Sequence, residues 1–252
     1  MNKLKITNGY CQLQPESQNP YRLLQNIDLQ IRHREITAFL QLQGTGAMVM
    51  MDELHRNKEM NPGTIQYVVP SRILPEEKEL CVIHYLIKKQ YDHFGLDAFV
   101  YKALYEKKLR KAFYELHSGL ENFSQKKIRE LSPDEALLLT VLPALLKHPH
   151  ILLLDCITTC IPEGLLNGLL KSLSSLVALT ETSLIFSTRS PQLAFYFSDR
   201  IFIFDHEKMI REIENSERHP SILTELFQMY EAHRYTPAIS PEAVKLLNDQ
   251  QI

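Results

Sequence analysis

Apolar residues gather in four short runs, at 36–40, 151–154, 183–187 and 201–204. Each is brief and bounded by polar or turn residues, which marks a strand buried on both faces. Long helical patterns separate the first two. Strands alternating with helices predict an α/β fold with a parallel sheet covered on both faces. The N-terminal pattern differs. Residues 4–7 and 27–31 alternate apolar and polar positions, as half-exposed strands do. The polar stretch 12–20 between them carries two prolines and reads as a loop.

Residues 75–147 read as mostly helical. Val82, Tyr85, Leu86 and Lys89 begin one amphipathic pattern, and Phe99, Ala103, Leu104 and Leu109 form another. The charge run at 106–111 fits a solvated helix face. From about 216 the chain turns polar, and Pro220, Pro237 and Pro241 are expected to break it into short helices. There is no internal repeat and no low-complexity segment.

Composition narrows the function classes. The chain of 252 residues is 44% hydrophobic and 23% charged, ordinary for a globular protein. Its net charge of −2 and pI near 6.6 give no basic excess for nucleic acid. The longest apolar stretch, 136–146, is interrupted by Thr140 and Pro143. It falls short of the roughly 18 apolar residues of a membrane-crossing helix. The N-terminal residues lack the apolar core of a signal peptide, so a cytoplasmic location is expected. Cys11, Cys81, Cys156 and Cys160 fit neither a disulfide framework nor a zinc spacing. His148 and His150 flank Pro149 ahead of a strand and read as loop residues. No metal site is expected.

The segment Gln41-Leu42-Gln43-Gly44-Thr45-Gly46-Ala47-Met48 follows an apolar strand and precedes a helical pattern. That is the setting of the phosphate-cradling loop G-x-x-x-x-G-K-[ST]. Gly44 and Gly46 keep its spacing. Gln41 replaces the first glycine, Ala47 the lysine that reaches phosphates, and Met48 the hydroxyl that holds magnesium. By itself Gly-Thr-Gly is equally a plain turn between strand and helix. Met48, Met50 and Met51 read as core packing, with plugging of the pocket as the alternative.

The stretch LSPDEALLLTVLPALLKHPHILLLDCITTCIP, at 131–162, carries a more specific pattern. Without a gap it resembles the ATP-binding subunits of ABC transporters, from their signature loop through the acidic strand end to the loop beyond. Leu131-Ser132, Ala144-Leu145-Leu146, Pro149 and 151–155 keep the pattern. So do Leu24-Gln25-Asn26-Ile27-Asp28-Leu29 upstream, and Phe186-Ser187-Thr188-Arg189 and Asp199-Arg200-Ile201-Phe202-Ile203 downstream. The resemblance covers about residues 3–213. It implies a P-loop NTPase-like α/β core with a mostly parallel sheet, from 1–72 and 148–215. An N-terminal antiparallel β subdomain, a helical subdomain at 73–147 and a tail at 216–252 complete the implied fold.

The same resemblance identifies the departures. Cys156 stands where the family has its catalytic glutamate, Arg189 where it has the switch histidine, Ser71 for the Q-loop glutamine and Pro162 for the D-loop aspartate. Asp155 is retained, with its partner ligand replaced by Met48. The signature loop reads Ser132-Pro133-Asp134-Glu135, in which local physics predicts a capping box. Ser132 is the N-cap, Pro133 occupies N1 and Glu135 occupies N3. Asp134 and Glu135 also put negative charge where a phosphate would lie. The nucleotide-binding remnant is thus Gly44, Thr45, Gly46, Ala47, Met48 and Asp155. No tightly held cofactor is expected, and ATP with magnesium only weakly.

The leading expectation is a catalytically inactive subunit of a transporter complex. Its partners would be a membrane subunit, contacted through 71–147, a competent ATPase subunit, or a second copy. It would be peripheral to the inner face of the membrane. A soluble scaffold on the same fold is the alternative. A third reading keeps ATPase activity through a substitute such as Lys58, with Tyr10 or Tyr21 stacking on adenine.

Overall fold

The computed structural model describes residues 2–11, 24–56, 65–91, 126–145, 147, 149–159, 161–180 and 182–234. The loop at 12–20, Tyr21, Lys58, the pattern from Phe99 to Leu109 with its charge run, His148, Cys160 and the tail from 235 lie outside them, as does the side chain of Tyr10.

The chain begins with an antiparallel pair, β1 (Asn2–Cys11) and β2 (Leu24–Arg32), in register from Asn2 opposite Arg32 to Cys11 opposite Leu24. Then follow β3 (Ile36–Gln41), α1 (Gly46–Arg56), β4 (Ile65–Val68) and α2 (Val82–Tyr91). Next come α3 (Pro133–Leu145), β5 (Ile151–Asp155), α4 (Glu163–Thr180) and β6 (Ser183–Thr188). The described chain closes with α5 (Pro191–Phe197), β7 (Arg200–Asp205), β8 (Lys208–Glu214) and α6 (Pro220–Arg234).

The main sheet has six strands in the order β4-β5-β6-β3-β7-β8. Neighbours are parallel except β7 and β8, which form a hairpin. The four apolar runs are β3, β5, β6 and β7, the consecutive inner strands, and β5 and β6 are buried along their whole length. Strands covered on both faces need near-continuous apolar sequence, which is why alternation is absent there.

Successive side chains sort onto opposite faces. Leu152, Leu154, Leu184, Phe186, Ile201 and Ile203 join one core with α3 to α6. Ile151, Leu153, Ile185, Phe39, Phe202 and Phe204 join a second with α1 and β2. Met50 and Met51 are fully buried in that second core, so they are packing residues, as the first reading had it. Leu29 and Ile31 bring the N-terminal hairpin onto the same face.

Two features differ from expectation. Pro220 starts a helix of 15 residues instead of breaking one. Its ring needs no N–H in the first turn, and Leu226 anchors the helix in the core. Strand β8 was not foreseen, because at the sheet edge its residues are mostly exposed and give no apolar run.

Candidate functional site

The carboxyl ends of parallel strands are where ligands meet such sheets. Here β3 ends in the glycine loop, β5 ends in Asp155, and Arg189 follows β6. Three of the positions singled out in the sequence therefore share the carboxyl end of the sheet.

The glycine loop is closed by the chain itself. Leu42 N–H donates to Phe204 O at 2.8 Å, His206 N–H to Gln43 O at 2.6 Å and Gly46 N–H to His206 O at 2.8 Å. These bonds carry the β3–β7 pairing past the strand ends and seat the β7–β8 turn on the loop. Gly44 has φ of +79°, and a Cβ there would come within 2.6 Å of the His206 Cα. Glycine is needed for backbone geometry and for this approach. Gly46 is equally tight against the His206 carbonyl.

Gln41 fills the interior. It is fully buried. Its Nε2 faces three carbonyl oxygens, those of Gln43, Phe204 at 3.4 Å and His206 at 3.2 Å. Its Oε1 accepts the Ala47 N–H at 2.5 Å. The N–H groups of Gly46 and Ala47, at the start of α1, would be the natural anion donors. Both are already committed. Thr45 is exposed, Met48 half-buried and Ala47 buried.

Asp155 is likewise saturated. Its Oδ1 accepts from the Ser187 hydroxyl at 2.7 Å, Ile157 N–H at 3.0 Å and Thr158 N–H at 3.3 Å. Its Oδ2 accepts from the Thr158 hydroxyl at 2.8 Å and Tyr67 at 3.0 Å. Burial pushes the carboxyl up, but these hydrogen bonds to the ionised form outweigh it and hold it below its ordinary value. The same contact, after burial, raises the Tyr67 phenol. Cys156 is buried, and burial pushes its thiol far up, with the Asp155 charge adding to it. A protonated thiol there is neither base nor nucleophile.

The signature loop forms the expected capping box. Glu135 N–H donates to Ser132 Oγ at 3.2 Å, and Ser132 N–H to Glu135 Oε2 at 2.8 Å. Lys126 reaches Glu135 Oε1 at 2.9 Å. Burial raises the Glu135 carboxyl, while Ser132 and Lys126 bring it down to a net value below the ordinary one. Pro133 opens α3. The Asp134 carboxylate rests against α4, where a Cβ on Gly168 would lie 2.6 Å from its Cγ.

Two concavities flank these remnants. A groove of about 490 Å³ runs between Ser71–Ile73 and the start of α3, over an apolar floor that includes Ile73, Leu131 and Leu165. Arg72, Lys78 and Arg129 stand along it. A cleft of about 360 Å³ brings together Cys156, Glu163, Arg189 and the α6 residues Phe227 and Tyr230. The residues that sequence reasoning missed are Gln41's acceptor and donor set, Tyr67, Thr158, Ser187 and the His206 turn. The Asp155-x-x-Thr158 spacing was the one local signal, since short polar side chains there close a turn onto a carboxylate.

The six-stranded sheet and its flanking helices define the fold of the ATP-binding cassettes of ABC transporters. The chain resembles a nucleotide-free ATP-binding cassette from an ABC transporter at a TM-score of 0.64 and 16% identity, over 91% of this chain and 99% of that one. It resembles the ADP conformation of another ATP-binding cassette of an ABC transporter at 0.65 and 15%, over 91% and 98%. A third is CbiO1 from Clostridium perfringens, part of an ABC transporter complex, at 0.62 and 16%, over 97% and 98%. No family model and no curated protein matches the sequence. At these identities the likeness is one of fold. Among the described residues no helix is long and apolar enough to cross a membrane.

Proposed function

We propose that the chain is a non-hydrolysing cassette, serving as a structural or regulatory subunit of an ABC-type transporter complex. The observation that carries this is the Gln41 side chain inside the glycine loop, bonded to the Ala47 N–H that a phosphate would use. Three further features agree with it. Asp155 has its acceptor sites occupied, Cys156 is a buried neutral thiol, and Glu135 closes the signature helix.

Calorimetry with ATP and magnesium, with phosphate release followed in the same preparation, tests the reading. No heat up to millimolar nucleotide and no release are expected. Gln41→Gly with Ala47→Lys and Met48→Ser frees the Ala47 N–H and restores a charge-assisted bond of about 1.5–3 kcal/mol. That variant is expected to bind ATP but not to turn it over, because Cys156 remains. Asp134→Gly with Glu135→Gln is expected to leave turnover at zero. Phosphate release by the natural chain would sink the proposal.

The partner surface is the groove beside Ser71. Its floor is apolar and its charged lining residues are all cationic, Arg72 and Lys78 together with Arg129, which is already paired with Glu79 at 3.0 Å. It suits an amphipathic helix of a membrane subunit that carries carboxylates along its edge. Arg72→Glu with Lys78→Glu is expected to abolish co-purification with that subunit from the native host in mild detergent. Both side chains are exposed, so the thermal midpoint should hold. Undiminished co-purification of the double variant would move the interface elsewhere. A soluble-only set of partners would favour the scaffold reading.

A further inference from the structure

We propose that the cleft around Arg189 binds a small zwitterion with an apolar body, in chemical class an apolar or aromatic α-amino acid. The residues of the glycine loop do not line this cleft, whereas Cys156 and Arg189, at the positions the resemblance gives to the catalytic glutamate and the switch histidine, do.

The cleft holds one cation and one carboxylate. Arg189 is exposed and, among the described residues, forms no ion pair. Glu163, at the start of α4, lines the same cleft, and the Ser190 hydroxyl donates to its Oε1. Ser190 is itself held, its Oγ accepting the Leu193 N–H at 3.2 Å. Glu163 is thus anchored through one oxygen, and the other takes no partner among the described residues.

Charge selects the ligand. A simple anion drawn to Arg189 meets the Glu163 carboxylate, and a simple cation drawn to Glu163 meets the guanidinium. A molecule carrying both charges satisfies both. Its carboxylate would take the planar guanidinium, which suits bidentate bonding. Its ammonium would donate to Glu163. Its apolar part has a place to go, because Leu166, Leu193, Phe227 and Tyr230 line the same cleft. A volume near 360 Å³ falls within the range of small-molecule sites, about 300–1,000 Å³.

The test is a titration of the intact chain with L-phenylalanine and L-leucine, read by calorimetry and by saturation-transfer NMR. N-acetyl-L-phenylalanine removes the ammonium charge and L-phenylalaninamide removes the carboxylate. Saturable binding is expected for at least one free amino acid, with a Kd on the order of a millimolar, as suits so few atoms. Each blocked analogue should bind at least about tenfold more weakly, the worth of one lost ion pair. Arg189→Gln and Glu163→Gln should each cause a similar loss with the thermal midpoint unchanged, since both side chains are exposed. Absence of saturation by either amino acid would overturn the proposal. So would equal binding of the blocked analogues, or variants that bind like the natural chain. None of these outcomes bears on ATP calorimetry, so the two readings fail separately.

Discussion

Arg200→Met is expected to lower the free energy of unfolding by about 3–5 kcal/mol, because it breaks a buried ion pair from one side. Arg200 is 3% exposed and Glu35 6%, and Arg200 Nη2 lies 2.8 Å from Glu35 Oε2. The same guanidinium reaches Glu212 Oε1 at 2.8 Å and donates to the Gln30 carbonyl. One side chain therefore ties β2, the turn before β3, β7 and β8 together. Removing it leaves Glu35 charged, buried and without its cation. Urea denaturation of Arg200→Met, Glu35→Met and the double variant measures this. The double variant should regain much of the loss, since the uncompensated charge goes with the second substitution. A single variant as stable as the natural chain would show that the pair fastens nothing.

Asp155→Ala is the second large effect, on the order of 3 kcal/mol, because it leaves the buried Ser187 hydroxyl and the part-buried donors of Tyr67, Thr158 and Ile157 without their acceptor. Asp155→Asn should cost less, since the hydroxyls can rotate to accept from the new amide. It also removes the titration. The folded-state pKa of Asp155 is depressed, so its contribution is present above the unfolded value of about 3.9 and lost as pH falls through the folded value. The natural chain should therefore lose stability more steeply below about pH 4 than Asp155→Asn does. Parallel acid limbs for the two would contradict the hydrogen-bonded carboxylate.

Much of the fold was legible in the order of residues. The four buried strands announced themselves as apolar runs because inner parallel strands have no solvent face to encode. The capping box at Ser132 to Glu135 was legible because all its bonds span three residues. That Ala47, Met48 and Cys156 carry no ammonium, hydroxyl or carboxylate was legible as well, since side-chain chemistry needs no coordinates. Strand β8 was hidden because an exposed edge carries no periodic signal. Helix α6 was misread because a proline alone does not say whether it begins a helix or ends one, and the packing of Leu226 decides.

What only the tertiary structure decided is which partners these side chains take. Gln41 looked like a lost glycine. In the fold it is a buried amide that accepts from Ala47 and faces the carbonyls of residues more than 160 positions away. Asp155 read as a carboxylate ending a central strand, and only the fold brings Tyr67 and Ser187 to it from the strands on either side. Arg189 and Glu163 line one cleft only because α4 and the end of β6 converge. Local sequence determines what a residue can donate, accept or carry. Which partner satisfies it depends on contacts between distant segments, and those form only when the sheet closes.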